Sequence, residues 1–436
     1  MISQVIFSVC LAIAGFFLSK SVKRIYRNIH LGKAFEIKGD TTERVKKMFL
    51  IAFGQKKMFD RPIPALLHLF VYLGFLIINL EMLEIVIDGI FGTHRVFLAV
   101  LGNFYTVMIN VFEFFAVAVS VGCAVFLVRR NILNIARFHK PELTRWPLLD
   151  ANLILTLEIV LMFAFLNMNA ADLALQHLGS AHYTQTGDFL ISGFLSQLYT
   201  NASETSLHFA ERFYWWIHIL GVLAFANYLP YSKHLHIILA FPNTYFSNLS
   251  PAGKFKNMDQ VTEEVKSMLG LATENTSSES TILRFGAKDV TDLTWKNVLD
   301  AYTCTECGRC TSVCPANITG KKLSPRKIMM DTRDRAEEIG NVIDKTGQWV
   351  DDGKFLNSDN YISSEELLAC TSCNACVDAC PVNINPLEII LELRRYNIME
   401  ESKAPNSWNA MFSNLETNQA PWKFPASDRA NWRDQV

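Results

Sequence analysis

The strongest constraint on the fold is a set of five apolar stretches that all end before residue 245. Each is long enough to cross the roughly 30 Å hydrocarbon core of a bilayer as a helix. They run over Ile2–Leu18, Ile63–Ile87, Phe97–Val128, Leu148–Met168 and Phe213–Leu239. Half of the 436 residues are apolar and 19% are charged, a composition too apolar for an ordinary soluble protein of this size. The sequence therefore predicts an all-α membrane protein with five spans.

The lysines and arginines between the spans indicate how the chain is oriented, because cytoplasmic loops are enriched in them. Residues 20–61 hold twelve and residues 129–145 hold five, whereas residues 170–211 hold none. We predict a multi-pass protein of a bacterial or archaeal inner membrane, with its N-terminus outside and everything after the fifth span in the cytoplasm. A mixed apolar pattern over residues 189–199 predicts a short helix on the outer surface. The balance of 41 basic and 42 acidic residues gives no electrostatic reason to bind nucleic acid.

The sequence divides into a membrane part over residues 1–245, a linker over 246–290, a soluble domain over 291–400 and a tail over 401–436 that would dock a partner. The run ATENTSSEST at 272–281 is typical of a flexible linker. Helix-start signals recur in the soluble domain: Ser324-Pro325, Ser363 with Glu366, and Asn385-Pro386. Strand patterns are hard to find there, so we predict a mostly helical domain.

Eight of the ten cysteines fall in two runs with the same spacing, Cys-x2-Cys-x2-Cys-x3-Cys-Pro. The runs are Cys304, Cys307, Cys310 and Cys314, and then Cys370, Cys373, Cys376 and Cys380. This is the spacing of ferredoxins with two [4Fe–4S] clusters, in which the fourth cysteine of each run binds the other cluster. We therefore expect Cys380 to complete the first site and Cys314 the second. Structural zinc and disulfides are the alternatives, but zinc knuckles use pairs of ligands and the cytoplasm disfavours disulfides.

Four histidines, His234 among them, lie within the predicted spans, where a metal-binding side chain is a functional candidate. His68 belongs to the second span, and His218 and His236 stand 18 residues apart in the fifth. In one continuous helix this spacing is five turns, which puts both on one face about 27 Å apart. His68 and His236 fall at a similar depth, and we predict them as the axial ligands of a haem b. The alternative is a set of packed or interfacial histidines, with His234 and His236 contacting phospholipid.

Acidic residues recur at helical spacing near the outer end of the second span, at Glu81, Glu84 and Asp88, close to His94 and Arg95. Carboxylates there could exchange protons with a membrane quinone by general acid–base catalysis. We predict Glu84, Asp88 and His94 as catalytic residues; pairing with Arg95, or capping of the helix end, is the competing interpretation. Glu113 and Glu158 lie deeper in the third and fourth spans, and nothing in the sequence brings them together.

The five spans, the histidines on the second and fifth and their 18-residue spacing resemble the cytochrome b subunit of respiratory nitrate reductase and its relatives in heterodisulfide reductase. The segments CTECGRCTSVCPA, from Cys304, and TGKKLSPR, ending at Arg326, are similar to the iron–sulfur part of heterodisulfide reductase-type proteins and of membrane-bound electron transfer flavoprotein:quinone oxidoreductases. The resemblance covers nearly the whole chain. It implies a five-helix cytochrome b-like bundle followed by a dicluster ferredoxin-type domain.

The sequence departs from this family at two places. The resembling cytochromes carry a second histidine ten residues after the first on span two, and here that residue is Ile78. An outer haem on His218 would need another ligand, for which His94 is the candidate, so we expect one or two haems and lean towards two. Larger relatives continue past a stretch like Gln419–Trp422 into CCG repeats, which this sequence lacks. We expect that module as a separate subunit, with an electron transfer flavoprotein as another possible partner.

These features predict a membrane subunit of a quinone oxidoreductase. It would relay electrons between a cytoplasmic partner and menaquinone or ubiquinone through haem b and two [4Fe–4S] clusters. The alternative is a non-catalytic membrane anchor that connects a heterodisulfide reductase-like soluble enzyme and has no quinone site of its own. A transporter is disfavoured because the spans show no internal repeat.

Overall fold

The computed structural model describes residues 1–133, 135–251, 253–271, 284–423 and 425–435. The chain is 71% helical, in agreement with the predicted all-α class. Within the described ranges the β-structure is one isolated parallel bridge between Lys33 and Thr294. The predicted flexible run at 272–281 lies outside the described residues.

The first part of the chain forms the helices of the membrane part. They are α1 (Ile2–Ile29), α2 (Thr41–Met48), α3 (Pro62–Phe91), α4 (Leu98–Leu101), α5 (Asn103–Asn131), α6 (Trp146–His177), α7 (Leu190–Ser196), α8 (Glu204–Tyr228) and α9 (His236–Tyr245). Four of them, α1, α3, α5 and α6, are long and apolar enough to cross a membrane, by length and composition. These four correspond to the first four predicted spans.

Five helices close a ring around the centre of this part. Helix α1 packs on α3, α3 on α5, α5 on α6, α6 on α8, and α8 returns to α1. Packing rather than exclusion of water holds helices together in lipid, and small residues let backbones approach closely. Gly74 of α3 is such a residue, because a Cβ there would overlap the side chain of Val119 on α5. A similar contact joins Gly221 of α8 to Leu161 of α6.

The fifth predicted span is interrupted, which corrects the prediction of one continuous helix. Helix α8 ends at Tyr228, two 3-10 turns follow over Leu229–Tyr231 and Lys233–Leu235, and α9 begins at His236. Pro230 explains the break, since its ring removes a backbone donor and clashes with the preceding turn. The five-turn spacing that put His218 and His236 on one helix face therefore does not hold.

Helix α7 lies where the sequence predicts a short helix, over Leu190–Ser196 with a 3-10 turn to Tyr199. In its first turn, the backbone N–H groups of Ile191 and Ser192 donate to the carboxylate of Glu113 at 2.9 and 3.2 Å. Orphan N–H groups and the positive dipole end of a helix favour a carboxylate there. Glu113 therefore has a structural role in holding α7 against α5.

The second part of the chain forms shorter helices. They are α10 (Asp259–Met268), α11 (Trp295–Thr303), α12 (Arg309–Ser312), α13 (Pro315–Ile318), α14 (Pro325–Thr346), α15 (Ser364–Ala369), α16 (Ala375–Asp378), α17 (Pro386–Arg395) and α18 (Asn406–Asn418). Remaining turns are π-helical over Phe49–Phe53 and Tyr396–Glu400, and 3-10 over Lys56–Asp60, Ala136–Phe138, Pro141–Leu143, Val290–Asp292 and Ala426–Gln435. The helical content agrees with the prediction for this part.

The predicted helix-start signals are present as caps. Ser324 accepts a hydrogen bond from the N–H of Lys327 at the start of α14, and Asn385 accepts one from Glu388 at the start of α17. Ser363 and Glu366 form the reciprocal capping box of α15. Each such cap is worth about 1 kcal/mol to its helix.

The domain with the two cysteine runs rests against one end of the ring, which we call the cluster end; the opposite end, with α7, is the distal end. Helix α1 extends beyond its apolar run to reach α14 and α11. Its Asn28 donates to Tyr302 at 3.0 Å, and its Arg27 pairs with Asp344. The basic residues that follow the first apolar run thus hold the two parts of the chain together.

Candidate functional site

The two cysteine loops have the same backbone shape. The residues on either side of the second cysteine adopt positive φ angles: Glu306 at 54° and Gly308 at 71° in the first loop, Ser372 at 57° and Asn374 at 63° in the second. Such left-handed residues turn the chain sharply. Each loop therefore bends twice within a seven-residue run, as a loop wrapped around a compact cofactor must.

Helices fix both ends of each loop. The first cysteine of each run, Cys304 or Cys370, is the C-cap of the preceding helix, α11 or α15. The fourth cysteine is followed by a proline, and Pro315 is the first residue of α13. The sequence repeat is thus a structural repeat, in which a capped helix leads into three cysteines, a short helix and the final Cys-Pro.

The thiols of the first run lie near the last cysteine of the second run. Burial raises the pKa of the Cys304 thiol to about 12, and Cys307 and Cys380 are among the neighbours that raise it further. Burial likewise raises the pKa of Cys380 to about 12, with Cys307 as the next contributor. A buried set of thiols is costly to ionise unless iron neutralises the thiolates.

The second group of thiols combines the first three cysteines of the second run with the last cysteine of the first run. Burial raises the pKa of the Cys376 thiol to about 12, followed by the neighbouring thiols of Cys370, Cys314 and Cys373. The grouping is compatible with crossed ligation. Among the described residues no three His, Cys, Asp or Glu side chains converge on a point suited to one metal ion. The thiolates of a [4Fe–4S] site bind different irons, so they surround a volume and not a point.

Backbone N–H groups already face two of the sulfurs. Ser372 donates to Cys370 Sγ at 3.4 Å, and Ile384 donates to Cys380 Sγ at 3.3 Å. Hydrogen bonds to cluster sulfurs are one of the means by which a protein sets a reduction potential. The donor set and its surroundings therefore fit two iron–sulfur clusters.

His68 and His236 meet at the cluster end of the ring. Their ring centroids lie 6.4 Å apart. His68 Nδ1 is 3.1 Å from Gln55 Oε1, and His236 Nδ1 is 3.1 Å from the carbonyl oxygen of Lys233. An Nδ1–H bonded to an oxygen leaves Nε2 as the free lone pair, the usual arrangement of a metal-binding histidine.

A cavity of about 380 Å³ lies inside the ring of helices. The wall contains both His68 and His236, and it reaches Cys307 and Pro381 in the cysteine loops. It also contains His218, further towards the distal end. The structure therefore brings the histidines predicted as cofactor ligands and the predicted first cluster to one continuous space.

His218 is 2% exposed. Its Nδ1 lies 3.0 Å from the carbonyl oxygen of Leu161 on α6. The predicted partner, His94, is elsewhere: it lies beside Asp172 in a separate cleft at the distal end, with 3.0 Å between His94 Nε2 and the carboxylate. The structure thus does not bring His94 and His218 together.

The predicted catalytic residues Glu84 and Asp88 hold a turn in that distal cleft. Glu84 accepts hydrogen bonds from Tyr105 Oη at 2.7 Å and from the N–H of Phe97 at 2.8 Å. Asp88 accepts one from the N–H of Arg95 at 2.6 Å. Both carboxylates therefore cap the loop between α3 and α5, in line with the capping interpretation.

Glu81 and His94 have free polar atoms in the same cleft, whose volume is about 280 Å³. Glu81 Oε2 and His94 Nδ1 are buried without a hydrogen-bond partner among the described residues. Arg95 occupies the cleft wall as well, paired with Asp172 at 2.7 Å. The sequence found these residues as a group, but not which of them are committed to structural bonds.

Several residues on the cavity wall were missed from the sequence. Lys233 is buried and pairs at 2.7 Å with Glu306, which lies between the first two cysteines. Burial opposes the ionisation of Glu306, but Lys233 and Arg333 together lower its pKa. Gln55, which orients His68, follows no recognisable motif. For the pair of Lys233 and Glu306, the signal in the sequence was limited to a lysine at the end of an apolar run and a glutamate within a cysteine loop.

Arginines form a second missed group. Arg129, Arg130 and Arg137 line the cavity near its cluster end. The Nε atoms of Arg130 and Arg137 are buried and have no hydrogen-bond partner among the described residues. Buried arginine N–H groups without a partner favour an anionic ligand such as a carboxylate or a phosphate. The signal in the sequence was the five basic residues of 129–145, which we used only for orientation.

Residues 303–384 match the family described as 4Fe-4S dicluster domain. The chain therefore carries an iron–sulfur dicluster domain. The match covers both cysteine runs, as the spacing predicts. No solved structure matches the chain.

Curated relatives extend the similarity into the membrane part. The chain is 27% identical to the "Probable iron-sulfur-binding oxidoreductase FadF" of Bacillus subtilis (strain 168), over all of this chain and 61% of that protein. It is 25% identical to the "EtfAB:quinone oxidoreductase" of Syntrophomonas wolfei, over 90% of this chain and 54% of that protein. A "Probable membrane-anchored ferredoxin" of Chromohalobacter salexigens is 30% identical over 34% of this chain and 24% of its own length.

The chain thus spans 61% and 54% of the length of the first two of these relatives. The similarity to the first of these relatives covers both the part with the four apolar helices and the dicluster domain.

Proposed function

We propose that the chain is the membrane subunit of an oxidoreductase that carries electrons between a soluble partner protein and quinone. The eight cysteines would hold two [4Fe–4S] clusters, and His68 and His236 would hold a haem b. One observation carries the membrane half of this proposal: the two imidazoles lie 6.4 Å apart on a cavity that also reaches Cys307. When bound, iron–sulfur clusters and haem exchange single electrons.

The histidine pair suits an iron held between two imidazoles. With 6.4 Å between their ring centroids, both imidazoles could contribute to holding one iron. The acceptors at Gln55 and at the carbonyl of Lys233 fix both rings through Nδ1 and leave Nε2 free. Arg130 and Arg137 would hold the carboxylates of the haem edge, which supplies a counter-charge for their unpaired Nε atoms.

The cysteine loops would hold the clusters in crossed fashion. The first site would use Cys304, Cys307, Cys310 and Cys380, and the second Cys370, Cys373, Cys376 and Cys314. The neighbours that raise the thiol pKa values of Cys304 and Cys376 support this grouping. Cys373 is exposed, so the second site lies nearer the surface that a soluble partner can reach, and the first lies nearer the cavity.

Quinone and the soluble partner enter the proposal through the relatives. One relative is named EtfAB:quinone oxidoreductase, and the chain spans only 54% of it. We therefore propose that further redox modules, such as a CCG-repeat subunit or an electron transfer flavoprotein, bind at the dicluster domain. The basic residues at the cluster end support a cytoplasmic location of this domain, because cytoplasmic loops are enriched in lysine and arginine.

The test of the haem site is the spectrum of the purified full chain. We expect His68→Ala and His236→Ala each to abolish the same low-spin b-type signal, since loss of either axial ligand leaves the iron five-coordinate or the site without haem. Iron and acid-labile sulfide should stay at about eight each per chain in both variants.

Two other histidines provide matched controls. His234 lies beside His236, with 5.9 Å between ring centroids, and His139 is exposed. Neither His234→Ala nor His139→Ala should change the low-spin spectrum. Normal spectra in both the His68 and His236 variants would disprove the haem site and leave an iron–sulfur anchor without haem as the function.

A further inference from the structure

We propose that the ring of the quinone binds inside the central cavity, between the His68–His236 pair and His218, in contact with Tyr72, Glu158 and His218. This rests on the proposed function and adds the position of the quinone site and the residues that contact it. It places the site in the interior of the helix ring and not in the distal cleft, which holds the residues that the sequence predicts as catalytic.

The register of α3 orders the cavity wall by depth. Tyr72 lies one helical turn beyond His68, and Ile78 lies ten residues beyond it, about 15 Å along the axis. All three line the cavity. Glu158 and Leu161 lie one turn apart on α6, and both line the cavity with His218. The cavity therefore continues past the histidine pair to a zone with polar groups of its own.

Three polar groups in this zone are free to meet a ligand. Tyr72 Oη is buried and has no hydrogen-bond partner among the described residues. His218 uses Nδ1 on the Leu161 carbonyl oxygen at 3.0 Å, so its Nε2 is the acceptor nitrogen. Glu158 contributes a carboxyl group to the same wall. A buried hydroxyl without a partner carries a cost that a bound acceptor removes.

The rest of the wall suits an aromatic ring with an apolar tail. Phe75, Ile78, Val119 and Phe225 line the cavity along with the polar groups. Ligand sites commonly combine such an apolar wall with a few placed donors and acceptors. A quinone has this chemistry, with two carbonyl acceptors on an otherwise apolar molecule.

A second haem on His218 is the competing use of this space. On α3 the residue at the register of a second axial ligand is Ile78, which cannot bind iron. His94, the other candidate, lies in the distal cleft with Asp172. Without an opposing imidazole, His218 is better matched to a quinol, whose hydroxyl can donate a hydrogen bond to its Nε2.

The partner protein proposed above supplies the electrons that reduction of a quinone requires. Reduction of quinone to quinol takes two electrons, supplied by a reduced soluble flavoprotein, and two protons, one at each ring oxygen. Tyr72 and protonated Glu158 can donate hydrogen bonds to the carbonyls of the quinone. In the quinol, each C=O has become C–OH, with its π bond lost and an O–H bond formed. Glu158 gives its proton to one ring oxygen, and His218 Nε2 and the resulting Glu158 carboxylate can then accept from the hydroxyls. The protons come from water, and quinol oxidation is the reverse reaction.

The distal cleft is less suited to this task. Glu84 and Asp88 are already committed to backbone and tyrosine donors. The cleft does not share its wall with His68 or His236, and electron tunnelling slows steeply with distance. A ring in the central cavity lies next to the histidine pair without an intermediate carrier.

The experiment compares Glu158→Gln, Tyr72→Phe and His218→Gln in the detergent-solubilised full chain. Two readouts are used: turnover of a short-chain quinone with a chemically reduced flavoprotein, and binding of a fluorescent hydroxyquinoline N-oxide, a quinone analogue. We expect each variant to lose roughly tenfold or more in turnover and to bind the analogue more weakly. Haem should be one per chain, and its low-spin spectrum should persist in all three.

Exposed residues of the same types supply controls: Glu204→Gln, Tyr26→Phe and His208→Gln should change neither readout. Glu81→Gln tests the distal cleft. Two haems per chain, or loss of a haem in His218→Gln, would overturn the inference in favour of a second haem. Loss of analogue binding in Glu81→Gln, with the cavity variants unaffected, would overturn it in favour of the distal cleft. Absence of quinone turnover and of analogue binding in the unmodified chain would instead disprove the proposed function.

Discussion

At the scale of single residues, Cys314 shows how much a role depends on tertiary structure. It belongs to the first cysteine run in sequence, yet its thiol is a neighbour of Cys370 and Cys376 from the second. The Cys-Pro step into α13 directs the chain away from its own loop. The spacing predicts this crossing through the ferredoxin pattern, and nothing else in the sequence around Cys314 does.

Replacing Cys314 tests the crossing. We expect Cys314→Ser to damage the site of Cys370, Cys373 and Cys376 and to leave the Cys304 site intact, with a loss of about four of about eight non-haem irons. Electron paramagnetic resonance of the two reduced clusters, together with iron analysis, measures this. Cys123→Ser, at a buried position in α5, is the control and should keep both signals. A variant that loses only the Cys304 signal would show that each run binds its own cluster.

At the scale of elements, helix starts were predictable because the caps are local. Ser324, Ser363 and Asn385 cap the helices that the sequence assigns to them. The break in the fifth span was not predictable from hydropathy, because the apolar residues continue through Pro230 although the helix ends before it. Asp150 on α6 stabilises the break by accepting from Tyr228, Ser232 and Lys233, a set of contacts that needs the folded chain.

The candidate site likewise has a local part that was predictable from the sequence and a part that was not. The cysteine loops are local in sequence, and their spacing alone identifies the chemistry. His68 and His236 could be paired by their depth in the membrane. Gln55, Arg137 and Lys233 come to line the same cavity only when distant segments pack. Glu158 had no partner in sequence, because its cavity is formed by several helices of the ring.

The N-terminus of α14 is one of the elements that join the dicluster domain to the loop between α5 and α6. Arg326 is fully buried and donates to Glu142 and to the carbonyl of Arg137, each at 2.8 Å. Ser324 donates to the same Glu142 carboxylate at 2.7 Å. A carboxylate at a helix N-terminus is favoured by the helix dipole as well.

We expect Arg326→Met to destabilise the domain by about 3–5 kcal/mol, the usual cost of leaving one charge of a buried pair without its partner. Thermal unfolding of the full chain, followed by cluster absorbance, measures it. Lys322→Met removes one side of the exposed pair with Glu365 and should change the unfolding free energy by less than about 1 kcal/mol. A loss as small as that of the control would mean that Glu142 finds another partner.

The same contact predicts a pH dependence. Burial opposes ionisation of Glu142, but hydrogen bonds from Ser324 and Arg326 outweigh it and lower the pKa. The contact therefore contributes stability above the ordinary glutamate pKa of about 4.3, and this is lost as the pH falls through the lowered value. The loss of unfolding free energy on acidification that is due to Glu142 should therefore be smaller in Arg326→Met than in the unmodified chain.

At the scale of the whole molecule, α1 and the segment after it are among the contacts that hold the dicluster domain against the ring. The segment after α1 runs alongside the start of α11, with the N–H of Lys33 donating to the carbonyl of Leu293 at 2.7 Å. Gly32 makes this possible, because a Cβ there would lie 2.6 Å from the carbonyl carbon of Thr294 and 2.7 Å from the nitrogen of Trp295. Backbone atoms cannot move aside as a flexible side chain can.

We therefore expect Gly32→Ala to push the domain away from the ring while leaving cofactor contents normal. Because tunnelling falls steeply with distance, haem reduction by a reduced soluble protein should slow by roughly tenfold or more, which stopped-flow absorbance at the haem band measures. Gly15→Ala, on α1 with open space around it, is the matched control and should react at the normal rate. An unchanged rate in Gly32→Ala would mean that the contacts of α14 and of the loop between α5 and α6 fix the distance alone, and that α1 serves only as a membrane anchor.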